Sequence, residues 1–159
     1  MSARMVGPLL LAAFLTVSEA PAAADTTSAA PLERPSDAIA LYQHLNQVRS
    51  KVGETLLALD RRLIEVARAH ALDMIARHYF AHETPDGSSP FDRLRQAGVE
   101  YSYAGENLAM NVGPDAAHLA LLESPPHREN MLEPHYRRVG IAAVRDPEGQ
   151  EIFVEDFSD

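Results

Sequence analysis

Apolar residues recur at helical spacing through the first half of the chain and give way to dense β-type runs at its end. Ala38, Tyr42, Leu45 and Val48 fall on one stripe. That predicts a helix over about 37–50, with Ser36 as N-cap and Gly53 as its end. Leu63, Val66, Ala67, His70, Ala71, Met74 and Ile75 follow the 3.6 period closely. They predict a second helix, capped by Asp60 and running to about His78. Thr84-Pro85-Asp86-Gly87 reads as a turn, and Ser89-Pro90 as the cap and first residue of a short helix closed by Gly98.

The next stretch, 101–112, reads as extended. Gly113-Pro114 breaks it, and 115–123 returns to helical spacing. Ser124 is placed as the cap of a further short helix that starts at Pro126 and stops before Pro134. Val139–Val144 and Ile152–Phe157 are β-rich, and Asp146-Pro147-Glu148-Gly149 joins them as a hairpin turn. Helices first and a hairpin last imply an α+β fold, with an antiparallel sheet that carries helices on its faces.

The first residues follow a different logic. Arg4 precedes a mostly apolar run from Val6 to Val17, and small residues follow. This is the order of a secretory signal peptide, expected to be cut after Ala24. The apolar run is too short for a stable bilayer anchor, so no transmembrane anchor is expected after cleavage. Residues 25–35, rich in Thr, Ser, Ala and Pro, are expected to be a flexible linker, and 36–159 the domain. The chain is therefore expected to be exported, either periplasmic or secreted. It has no cysteine, so an exported domain must be held by its core alone. Its net charge of −9 excludes the basic face that nucleic acid needs. Nothing in the pattern fixes the oligomeric state.

Candidate chemistry lies on three separated segments: His82 in Phe80-Ala81-His82, Glu106 in Gly105-Glu106-Asn107, and His127 in Pro125-Pro126-His127. Two imidazoles and one carboxylate can hold a divalent metal or run acid–base chemistry. His127 sits in the first turn of a proline-started helix, where partial positive charge disfavours imidazolium and keeps a lone pair free. His70, on an apolar stripe, reads as a satisfied core histidine. His78 and His82 are four apart and could share a helix face. His44, His118 and His135 have no evident partner. Asn46, Arg49, Asn107 and Arg128 read as structural ties from side chain to backbone. No nucleophile elbow, zinc-protease motif, P-loop or dinucleotide fingerprint occurs.

Taken in order, these segments resemble the CAP superfamily of cysteine-rich secretory, antigen 5 and pathogenesis-related proteins (the SCP domain). The likeness is strongest to its cysteine-free bacterial branch. Asn46-x-x-Arg49, Ala67-x-x-His70-Ala71-x-Asp73-Met74, Tyr79-Phe80-Ala81-His82, Asp92-Arg93, Gly105-Glu106-Asn107-Leu108-Ala109, Ser124-Pro125-Pro126-His127-Arg128-x-Asn130-Met131-Leu132, Val139-Gly140-Ile141 and Asp156-Phe157 carry it. The resemblance implies an α/β/α sandwich with a three- or four-stranded antiparallel sheet. It also implies a groove lined by two histidines and two acidic residues that takes a divalent cation, zinc favoured. His82, Glu106 and His127 match three of those positions. The fourth departs: Ser124 falls where a glutamate is expected, and Glu123 is one residue off.

Two functions follow as expectations. One is a binding module for a small ligand, peptide, glycan or lipid, with the metal organising the site. The other is a metal-assisted, peptidase-like hydrolase in which Glu106 is the general base.

Overall fold

The computed structural model describes residues 30–159. The expected signal peptide, 1–24, and the first part of the expected linker lie outside the described residues. Among these residues the chain forms β1 (Leu32–Glu33), α1 (Pro35–Val52), β2 (Ala58–Leu59), α2 (Arg61–Ala76), α3 (Pro90–Gln96), β3 (Ala104–Asn111), α4 (Pro114–Glu123), α5 (Pro125–Leu132), β4 (Arg138–Arg145) and β5 (Glu151–Ser158).

The sheet order is β1-β4-β5-β3, with all three pairings antiparallel. This is the sheet that the resemblance implied. β2 adds a two-residue parallel pairing to β4, end to end with β1 along the same edge. Side-chain alternation along β4 and β5 divides the core in two. Val139, Ile141, Ala143, Phe153 and Phe157 pack against Leu41, Leu45, Leu121 and Met131 from α1, α4 and α5. Ala142, Val144, Ile152 and Val154 pack against Ala67, Ala71 and Met74 of α2 on the other face. Leu63 and Val66 of α2 meet Leu94 of α3 and Val99. Helices thus cover both faces, as an α/β/α sandwich.

Local signals explain most boundaries. Asp60 accepts hydrogen bonds from Arg62 N and Leu63 N and starts α2. Ser89 and Asp92 form a capping box at α3. Gly53 ends α1 at φ 86°, a left-handed cap that glycine adopts without a Cβ penalty.

Some expectations are corrected. α1 begins at Pro35, not behind a Ser36 cap: Arg34 is the cap residue, and Ser36 bonds the side chain of Asp37. Leu32–Glu33, expected to be linker, joins the sheet as β1, because two backbone pairings to β4 offset the ordering of so short a segment. Ser124 does precede α5, but its side chain makes no cap hydrogen bond. Arg128 is exposed, and no side-chain hydrogen bond to it occurs among the described residues.

The other expected ties hold. Asn46 exchanges two hydrogen bonds with the Leu57 backbone. Fully buried Arg49 donates to the carbonyls of Thr55, Met131 and Glu133, joining α1 to the end of α5.

Candidate functional site

Strand alternation sends the side chains of adjacent residues to opposite faces, and β3 uses this at Glu106 and Asn107. Leu108 belongs to the α2 face and Ala109 to the α1 face, so Glu106 faces α2 and α3 while Asn107 faces α5. Gly105 allows the close approach of α5. A Cβ there would strike the Tyr136 hydroxyl and the Asn130 side chain.

Glu106 is the centre of the cluster. Its side chain is 1% exposed, and both oxygens are engaged. Oε1 lies 2.8 Å from His82 Nδ1, and Oε2 accepts from Arg93 Nη2 at 2.6 Å. His70 Nε2 stands 3.8 Å from Oε2. An ionised carboxylate only accepts hydrogen bonds, so the His82 proton is assigned to Nδ1 and the lone pair to Nε2.

The loop that carries His82 has little regular structure and is pinned by two residues beneath it. His70 Nε2 lies 3.1 Å from the Ala81 carbonyl and donates to it. Arg93 Nη1 donates to the carbonyls of His82 and Ser88. His82 itself stays open to solvent, its side chain 49% exposed.

His127 is attached from the opposite face. Asn107 Nδ2 donates to the His127 carbonyl, and Asn130 Nδ2 donates to Asn107 Oδ1 and the Glu106 carbonyl. These bonds lock α5 onto the strand next to Glu106. Burial holds the His127 imidazole below the ordinary histidine pKa, and the positive charge of a protonated His82 nearby pushes it the same way. Both favour the neutral form of His127, burial first, rather than the helix terminus that the sequence pointed to.

His82 and Glu106 are thus in direct contact, whereas His127 is tied to the strand through its backbone carbonyl and Asn107, and no hydrogen bond joins its imidazole to either among the described residues. His70 is buried and satisfied, as read from its stripe, and burial lowers its pKa. His78 does not share a face with His82. α2 ends at Ala76, and His78 turns to φ 55°. His44 and His118 stack on each other at 5.1 Å across α1 and α4, and His135 stacks on Tyr103 at 3.9 Å. Glu123 is exposed.

Two buried acids escaped sequence reasoning. Asp156 pairs with Glu106 in the β3–β5 register and is fully buried, and neither carboxyl oxygen has a hydrogen-bond partner among the described residues. Burial, then repulsion from Glu106, raises its pKa well above the usual carboxylate range. Glu155 lies on the α5 face and accepts from Asn107 Nδ2 at 3.1 Å; burial pushes its pKa up to about 7. Arg93 was also missed as a site residue. The signal for it was its place directly after Asp92 at the start of a capped helix, one turn from Ser89.

Whether the cluster suits a metal can be judged from its donors. Both Glu106 oxygens already carry a hydrogen bond, and a cation at Oε2 would meet the Arg93 guanidinium. Among the described residues, no group of three or more His, Cys, Asp and Glu side chains is placed to hold a metal ion. Two imidazole nitrogens, His82 Nε2 and one on His127, remain as donors. A polar recess of about 660 Å³, lined in part by His70, Asp73, Thr84, Ser88 and Arg93, opens between α2 and α3, and neither His82 nor His127 lines it.

The α/β/α sandwich is the fold that the resemblance to CAP-type domains implied. The cysteine-rich secretory protein family model matches residues 42–157, and the chain belongs to that family. It is 34% identical over 146 residues to the uncharacterized Bacillus subtilis protein YkwD, covering 89% of this chain and 56% of YkwD. It is 37% identical over 101 residues to the uncharacterized Bacillus subtilis membrane protein YlbC, covering 63% of this chain and 29% of YlbC. The chain thus spans about half or less of the length of these relatives. An extracellular SCP-domain protein of Bacillus anthracis superposes with a TM-score of 0.72 at 28% identity, covering 78% of this chain and 40% of that one. An outer surface protein of Borrelia burgdorferi shares the fold at a TM-score of 0.76 and 22% identity, covering 81% of this chain and 96% of that one. No helix among the described residues is long and apolar enough to cross a membrane.

Proposed function

We propose that the protein is an exported ligand-binding module whose site is the pair of imidazoles His82 and His127. The observation that carries this reading is the double engagement of Glu106. A carboxylate that is 1% exposed, and held by His82 on one oxygen and Arg93 on the other, has little access to a water it would have to deprotonate. Glu106 instead fixes the tautomer and orientation of His82. This is what a hydrogen-bonded carboxylate does behind a ligating histidine. This burial and double engagement favour the binding module over the hydrolase alternative.

A divalent metal, zinc favoured, is the proposed cofactor, with His82 and His127 as its protein ligands and Glu106 supporting His82. A bound metal would supply a Lewis-acidic contact for a ligand oxygen. The chain's own contribution is to hold the two imidazoles near the surface and to exclude water from the carboxylate behind His82. The ligand is proposed to be a small molecule, peptide, glycan or lipid. The site of action is proposed to be periplasmic or extracellular, in keeping with the signal peptide expected at 1–24 and the extracellular SCP-domain neighbour.

Zinc titration by calorimetry, followed by turnover assays, tests this. Wild type is expected to bind about one zinc. His82→Ala and His127→Ala should each weaken binding by roughly 10-fold or more while circular dichroism stays unchanged. No turnover on peptide, ester or glycan panels is expected with zinc bound. Turnover that disappears in Glu106→Ala would establish the hydrolase instead.

A further inference from the structure

At the sheet edge opposite β3, the pairing along β4 has a gap. β1 covers Val144–Arg145 and β2 covers Arg138–Val139. The last bonds on either side are Arg34 N to the Ala143 carbonyl and Asp60 N to the Val139 carbonyl. In an antiparallel pair, alternate residues turn both N–H and C=O away from the partner strand. Residues 139 and 143 face outward, so Ile141, midway between them, presents its N–H and C=O outward too. No described strand reaches it.

The gap opens into a cavity of about 270 Å³. Its walls are almost wholly apolar, built from Ala38 and Ile39 of α1, Leu59, Ile64 of α2 and Ile141. Ile39 and Leu59, 52% and 45% exposed, both line it. The rim carries charge that is already neutralised: Arg68 pairs with Glu33, and Arg34 with Asp37 and Glu151.

We infer that this cavity binds a neutral aliphatic molecule bearing one amide group. Water is poorly held between apolar walls, whereas hydrocarbon is favoured there. The walls also carry the Tyr42 hydroxyl, which already donates to the Leu57 carbonyl, and the outward N–H of Ala143, but Ile141 alone presents a donor and an acceptor together. An amide is the simplest group that answers both, by accepting from Ile141 N–H and donating to Ile141 C=O, as a neighbouring strand would. The paired rim arginines leave no free cation for a carboxylate head. The site is separate from the His82–Glu106–His127 cluster and independent of it.

The test is titration of the full chain, ¹⁵N-labelled, with octanamide, N,N-dimethyloctanamide and octanoate. Octanamide should saturate, with its largest amide shift at Ile141. The dimethyl amide, which has no N–H, and octanoate should bind about 10-fold more weakly, the effect of one lost hydrogen bond. Ile39→Ser and Leu59→Ser alter exposed side chains, so the fold should persist, and octanamide binding should fall several-fold. The inference is overturned by no saturation, by shifts centred away from Ile141, or by equal affinity for all three compounds.

Discussion

Gly140→Ala is expected to lose about 4 kcal/mol of stability or more, enough to leave little folded protein. Gly140 lies on β4 where α2 crosses closest. A Cβ there would run into the Leu63 carbonyl carbon and the Ile64 nitrogen. Those are backbone atoms, so no rotamer change can relieve the collision; α2 must lift from the sheet. That would pull Leu63, Ala67 and Ala71 out of their contacts and shift His70, which pins the His82 loop. Gly53→Ala is the control. Nothing lies within 4 Å of its Cβ position, so only the positive φ is penalised, at about 1–2 kcal/mol. Urea unfolding of both variants separates the two causes.

Arg93→Ala is expected to cost about 3–5 kcal/mol. Its side chain is 11% exposed, and the carboxylate it neutralises is 1% exposed. Removing the guanidinium leaves Glu106 facing Asp156 with no cation between β3 and α3. It also frees the carbonyls of His82 and Ser88. Zinc affinity should fall as well, because the His82 loop loses its second pin. Arg93→Lys keeps the charge but cannot donate to three acceptors in one plane, so it should recover only part of the loss. Equilibrium unfolding of both variants reads the difference.

Much of this was legible because local chemistry and tertiary structure agree. Asp60, Ser89 and Gly53 carry helix ends that the fold uses as written. His82, Glu106 and His127 stood out because each lies in a segment with restricted backbone, and the chain brings the first two into contact. What escaped was long-range. No local signal tells that Leu32–Glu33 pairs with a strand more than a hundred residues on. The run Glu151–Ser158 reads as partly polar, yet every residue in it is buried, because β5 lies between β4 and β3 with helices on both faces. Glu155 and Asp156 therefore look like solvent-facing positions in sequence and are interior acids in the fold. Arg93 had a local signal in its place after Asp92 at a capped helix start, but its partner Glu106, 13 positions away, was not legible.

The central claim is that Glu106 acts through His82 as a fixed acceptor, leaving the outer nitrogen of that ring open. Long-range ¹H–¹⁵N spectra of the histidine side chains, recorded at a pH where His82 is neutral, test it most directly. The account predicts that His82 carries its proton on Nδ1, with a free lone pair on Nε2. A His82 ring protonated mainly on Nε2 would contradict it, and with it the role assigned to the buried carboxylate.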